Sequence, residues 1–178
     1  GKSTFMNLFN RLYEAEAGQI LFSQTNLKEW KLSALREKIL YLSQDNFLMD
    51  GSVFDNICLA NPNCSEELAW SALSQVNGYE FVHSLPKGLH TPLGEGGHGL
   101  SGGQSRRLCL ARGFVIENPS LCLFDEPTAG LDPDSGRQVI QSIKEYSEKS
   151  LVIFSTHRMD EIEAADSVLI FDKDTPPR

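Results

Sequence analysis

The sequence predicts an α/β fold, a mostly parallel sheet carrying an inserted α-helical subdomain, on three observations. The runs at 121–124 (LCLF), 151–154 (LVIF) and 168–171 (VLIF) are four residues long, uniformly apolar and bounded by polar or turn residues. Such runs suit strands buried on both faces of a parallel sheet. A helical pattern over 133–146 lies between the first two, which makes a βαβ unit. Residues 48–115 differ in character, with helical segments, glycine loops and few strand runs. They predict a helical subdomain inserted into a core formed by residues 1–47 and 116–178.

The elements follow in order. Phe5, Leu8, Phe9 and Leu12 fall at helical spacing, and Gly18 supplies a stop. Residues 20–22 read as a short strand. Residues 39–42 read as a buried strand followed at once by the polar Ser43-Gln44-Asp45, and residues 66–76 as a helix. Residues 86–103 contain two prolines and seven glycines and read mostly as loop. A helix is expected from about Gln104 to Val115.

Composition narrows the function. With 178 residues, 40% hydrophobic and 22% charged, the chain can bury a core without disulfides or metals. The net charge is −8, and residues 121–178 hold −6 of it, with 6 basic and 12 acidic groups. A duplex-binding protein would show a basic face, so the charge argues against a direct nucleic-acid partner. Of the four cysteines, Cys109 and Cys122 lie in apolar runs and read as small buried hydrophobes; none forms a CxxC, and a reducing compartment fits. No apolar run approaches the roughly 20 residues of a membrane helix, so a membrane role would come through a partner domain.

Two stretches carry phosphate chemistry. Gly1-Lys2-Ser3-Thr4 matches the last four residues of the P-loop pattern GxxxxGK[ST]. There, N–H groups at a helix N-terminus point at phosphates, the lysine neutralises them and the serine hydroxyl holds Mg²⁺. The same four residues also read as an ordinary helix start. At 121–126, LCLFDE, an apolar run ends in two carboxylates. Asp125 at the strand end is a Mg²⁺ ligand candidate, and Glu126 beside it could polarise an attacking water. The other reading is a solvated acidic turn.

Leu100-Ser101-Gly102-Gly103-Gln104 is the LSGGQ signature, unaltered, and with it the chain resembles the ATP-binding-cassette (ABC) ATPases. Gln44 matches the Q-loop glutamine of that family, Asp125-Glu126 its Walker B pair, Ala129-Gly130-Leu131-Asp132 its D-loop and His157 its switch histidine. The resemblance covers nearly the whole chain and implies a P-loop NTPase, RecA-like core. It implies two ATP molecules held between two head-to-tail cassettes, identical or different. Gly1, Lys2, Ser3 and Thr4 would bind phosphates, with Ser3, Gln44 and Asp125 on Mg²⁺. Ser101, Gly102, Gly103 and Gln104 would bind the ATP held by the partner cassette. Glu126, His157 and Gln44 carry the catalytic roles, as general base, γ-phosphate sensor and link to the helical subdomain. Asp132 would contact the opposite cassette.

Within the family, residues 91–97 (TPLGEGG) look like the x-loop of exporter cassettes, which makes Glu95 an interface residue; it also reads as a charge in a glycine turn. Residues 52–57 (SVFDNI) resemble the exporter segment after the Q-loop. The stretch LGEGGxxLSGGQxRRLxLAR is similar to a CydC-like subunit of heterodimeric thiol exporters, whose implied cargo is cysteine or glutathione. The implied activity is ATP hydrolysis driving export, on the cytoplasmic face of a membrane through a transmembrane domain of the same or a partner chain. The alternatives are a soluble ABC ATPase acting on DNA or ribosomes, or a non-catalytic fragment. Against the first, positions 5–100 leave no room for a long coiled coil and show no heptad run. The sequence opens inside the P-loop pattern, so the chain reads as cut there, and the 178-residue piece alone is expected to be a poor ATPase.

Overall fold

The computed structural model describes residues 1–97 and 99–171; of Glu95 it describes the backbone. In chain order the elements are α1 (Lys2–Phe9), β1 (Leu21–Phe22), β2 (Thr25–Asn26), α2 (Leu32–Arg36), β3 (Ile39–Leu42), β4 (Gly51–Ser52) and α3 (Val53–Cys58). There follow α4 (Glu66–Gln75), α5 (Tyr79–His83), β5 (Pro92–Leu93), α6 (Gly102–Phe114), β6 (Leu121–Asp125), α7 (Pro133–Ser147), β7 (Leu151–Ser155) and α8 (Met159–Ile162). The fold is mixed α/β, built on a parallel sheet of order β3-β6-β7. Two antiparallel pairs, β1 with β2 and β4 with β5, are separate from it.

Side-chain alternation along the strands sorts the core into two faces. Ile39, Leu121 and Leu123 point to a small cluster with Leu27 and Leu35. Leu40, Cys122 and Phe124 point to the large one, which α3, α4, α6 and α7 cover. All five residues of β6 are buried. This central strand is paired on both edges and covered on both faces, which is why its sequence is an unbroken apolar run up to Asp125.

Helix boundaries follow local chemistry. Ser65 caps α4 through Leu68 N–H. Ser101 and Gln104 form a reciprocal capping box, so α6 begins at Gly102, two residues before the expected start. Pro133 sits at the first position of α7, where its missing N–H costs nothing. Gly113 lies where α6 crosses β3: a Cβ there would meet Leu42 Cδ1 at 2.6 Å and Cγ at 2.9 Å.

Three features differ from the sequence reading. The run at 168–171 forms no strand: Val168, Leu169 and Ile170 are exposed, and Phe171 packs its ring 5.5 Å from Phe5 of α1. An apolar run becomes a strand where a neighbour supplies ladder partners, and among the described residues none pairs with this one. The β1–β2 hairpin has two-residue arms joined by Ser23 and Gln24, both at positive φ. Cys58 and Cys64, at either end of the α3–α4 connection, form a disulfide with Cα atoms 5.5 Å apart; Cys109 and Cys122 are buried and free. Among the described residues no helix is long and apolar enough to cross a membrane.

Candidate functional site

The parallel sheet fixes the site, because β6 and β7 end side by side. Asp125 and Ser155 are register partners at their C-terminal ends. The Ser155 hydroxyl donates to Asp125 Oδ1 at 2.5 Å and accepts from the Glu126 N–H at 3.0 Å. One hydroxyl therefore orients both carboxylate residues. Asp125 is 3% exposed, and its charge, after burial itself, helps push the Tyr41 phenol above its ordinary value.

Helix α1 brings its N-terminus to the same edge. Met6 is buried beneath it, and the Tyr41 hydroxyl of β3 donates to Asn7 Oδ1 at 2.8 Å. So anchored, Lys2 donates from Nζ to the Thr156 carbonyl at 3.1 Å and lies 3.5 Å from Glu126 Oε1. His157 Nδ1 approaches the same oxygen at 3.4 Å. Three residues far apart in sequence, Lys2, Glu126 and His157, thus meet at one carboxylate that is still 20% exposed. An open cleft runs from Glu126 past Gly130 and Leu131 to His157.

The chain turns sharply after Asp125. Glu126 has φ 47, the left-handed region, which costs a residue with a side chain about 1–2 kcal/mol. Its carbonyl accepts from Ala129 N–H at 3.1 Å and from Arg106 Nη2 at 2.8 Å. The segment after His157 is held by Glu161, 4% exposed, whose carboxylate accepts from Thr128 and Thr156 hydroxyls and pairs with Arg158 Nε at 3.2 Å.

Among the described bonds, none joins the side chains of the remaining sequence candidates to this cluster. Ser3, Thr4 and Gln44 are exposed, and the described bond at Gln44 is to its carbonyl, from Arg106. Ser101 and Gly102 are exposed at the N-terminus of α6. Asp132 caps α7, accepting from Ser135 N–H and hydroxyl and from Arg107. The Ser135 hydroxyl and N–H, then Arg107, hold its carboxyl down at about 2. The side chain of Glu95 lies outside the described residues. Sequence reasoning missed Arg106, Ser155 and Glu161. The pair of arginines after LSGGQ was a signal for the first; nothing marked the others.

The donor set suits a magnesium nucleotide. Ser3, Gln44 and Asp125 offer the hard oxygens Mg²⁺ prefers. Lys2 and the first-turn N–H groups of α1 would supply positive charge to a phosphate placed there. Clusters of three or more histidine, cysteine or acidic residues, as a protein-only metal site would need, are absent among the described residues.

The family model described as ABC transporter matches residues 1–129. The chain belongs to the ABC transporter family. It is 39% identical over 170 residues to the ABC transporter ATP-binding protein YwjA of Bacillus subtilis, covering 96% of this chain and 29% of that protein. It is 38% identical over 172 residues to an ATP-dependent lipid A-core flippase of Neisseria meningitidis, covering 97% of this chain and 28% of that one. A solved bacterial Atm1-family ABC exporter with ATP bound superposes with a TM-score of 0.90 at 30% identity, over 97% of this chain and 30% of the exporter. The chain thus spans less than a third of the length of these ABC proteins.

Proposed function

We propose that this chain is the ATP-hydrolysing cassette of an ABC exporter. The observation that carries the reading is the meeting of Lys2 and His157 on Glu126, directly after Asp125. Lys2 neutralises phosphate charge, while Ser3, Gln44 and Asp125 hold Mg²⁺ and Gly1 and Thr4 border the phosphates. When bound, Mg²⁺ offsets the charge on the β- and γ-phosphate oxygens. Glu126 accepts the proton of the attacking water as the γ-phosphoryl group leaves ADP, and His157 contacts that group. Catalysis is positioning and charge stabilisation.

The signature at the start of α6, Ser101 to Gln104, whose first two residues are exposed, serves the ATP of a second cassette, with Asp132 and Glu95 as interface residues. The helical subdomain, residues 48–115, links the site to a transmembrane domain, which places the cassette at the cytoplasmic face of a membrane. Similarity over 97% of this chain to a lipid A-core flippase and to an Atm1-family exporter supports export. A cysteine or glutathione cargo rests on the stretch LGEGGxxLSGGQxRRLxLAR alone. The test is Mg-ATP hydrolysis by the exporter in lipid vesicles, wild type against Lys2→Ala. Hydrolysis in the wild type that Lys2→Ala leaves intact would overturn the site.

A further inference from the structure

Arg106 lies on α6 two residues beyond the signature and is 2% exposed. Burial pulls its guanidinium below the ordinary arginine value, and Cys109, then Asp125 and Glu126, offset only part of that. Yet its six hydrogen-bond acceptors are all uncharged oxygens. Nη1 donates to the Ser43 and Gln44 carbonyls at 2.9 and 3.2 Å and to Asn46 Oδ1 at 3.2 Å. Nη2 donates to the Asp125 and Glu126 carbonyls at 3.2 and 2.8 Å, and Nε to Pro127 at 3.3 Å. The planar fork of arginine can serve two such sets at once, which a lysine ammonium cannot.

The placement of these bonds gives them meaning. The ladder between β3 and β6 ends at Leu42 and Phe124. Beyond it the two strand extensions, 43–46 and 125–127, are joined through Arg106. One of them carries Gln44, the other Asp125 and the left-handed turn at Glu126. A backbone held in that region persists where its surroundings over-determine it.

We propose that Arg106 is a positioning residue for the reaction centre, setting the backbone of Gln44 and that of Asp125 and Glu126 at a fixed separation so that both reach one metal. This rests on the Mg-ATP reading above. The test uses the exporter with Arg106→Gln and Arg106→Lys. Mn²⁺ affinity with ADP bound is read by electron paramagnetic resonance, the Mg²⁺ dependence of hydrolysis by titration, and nucleotide affinity in EDTA separately. Both variants should weaken Mn²⁺ binding and raise the Mg²⁺ requirement about 10-fold or more, with metal-free nucleotide affinity unchanged. Amide exchange, which needs no metal, should quicken together in 43–46 and at residues 125 and 126. Unchanged Mn²⁺ affinity, full rescue by lysine, or exchange confined to one segment would overturn the proposal. A wild type that fails to hydrolyse Mg-ATP would instead count against the function, leaving the exchange result to judge Arg106. If the Arg106 variants do not fold, Asn46→Ala removes one acceptor from an exposed loop; Mn²⁺ affinity equal to wild type then counts against the bridge.

Discussion

Arg107 Nη2 lies 2.6 Å from Asp132 Oδ2, which ties the helix behind the signature glycines to the N-cap of α7. Asp132 titrates at about 2 against an ordinary 3.8, chiefly through the Ser135 hydroxyl and N–H. A carboxyl depressed on folding contributes stability that is complete above its unfolded value and is lost as pH falls through the folded one. Asp132 should therefore help the fold above about pH 4 and lose that effect toward pH 2. Thermal melts across that range should show a shallower acid decline for Asp132→Asn than for the wild type. Equal declines would detach the cap from acid stability.

Glu126→Gln should lower ATP turnover about 10²–10⁴-fold while leaving ATP binding intact, as expected for loss of a general base. Glutamine keeps the side-chain shape and removes the proton acceptor. Steady-state hydrolysis near the wild-type rate would take Glu126 out of that role.

Ser101→Arg should block closure of two cassettes and spare nucleotide binding by the chain that carries it. The signature serine is exposed and lies outside the cluster of Lys2, Glu126 and His157. Nucleotide affinity and nucleotide-dependent association are measured separately; a joint fall in the isolated cassette would contradict action across an interface.

Gly113→Ala should destabilise the fold by about 1–3 kcal/mol, the usual cost of overpacking. The new methyl would press on Leu42 Cδ1 and Cγ at 2.6 and 2.9 Å, forcing α6 and β3 apart. Urea denaturation gives the number, and a Leu42→Ala partner change should recover part of the loss. Additive losses in the double variant would show that the two groups do not collide.

What the sequence made legible tracks how locally each element is determined. Strand β6 announces itself because burial on both faces demands an unbroken apolar run, and the flanking β3 and β7 carry apolar runs although they are only partly buried. Helices α4, α6 and α7 carry their caps beside their apolar stripes. Strand β1 was legible, but its return partner Thr25–Asn26 escaped because Ser23 and Gln24 enter positive φ without the Asn-Gly or Gly signal that usually marks such a turn. The run at 168–171 misled because an apolar run forms a strand only beside a pairing neighbour, and Val168, Leu169 and Ile170 are exposed instead. At the site, Lys2, Asp125, Glu126 and His157 stand in motifs, whereas Ser155, Arg106 and Glu161 act through three-dimensional neighbours. Nothing in one dimension joins Arg106 to Ser43 and Pro127.

Glutamate at position 126 is an uncomfortable choice for the polypeptide, since φ 47 is territory that glycine or asparagine enters far more readily. A lineage selected for thermal endurance alone would drift toward those residues there and gain robustness with each step. A glutamate at this φ fits a position kept for its carboxylate, the role proposed above. Replacing it with glycine should give a cassette that is more heat-resistant than its ancestor and inert, so a screen for thermostable variants of this chain would enrich dead ones at this codon.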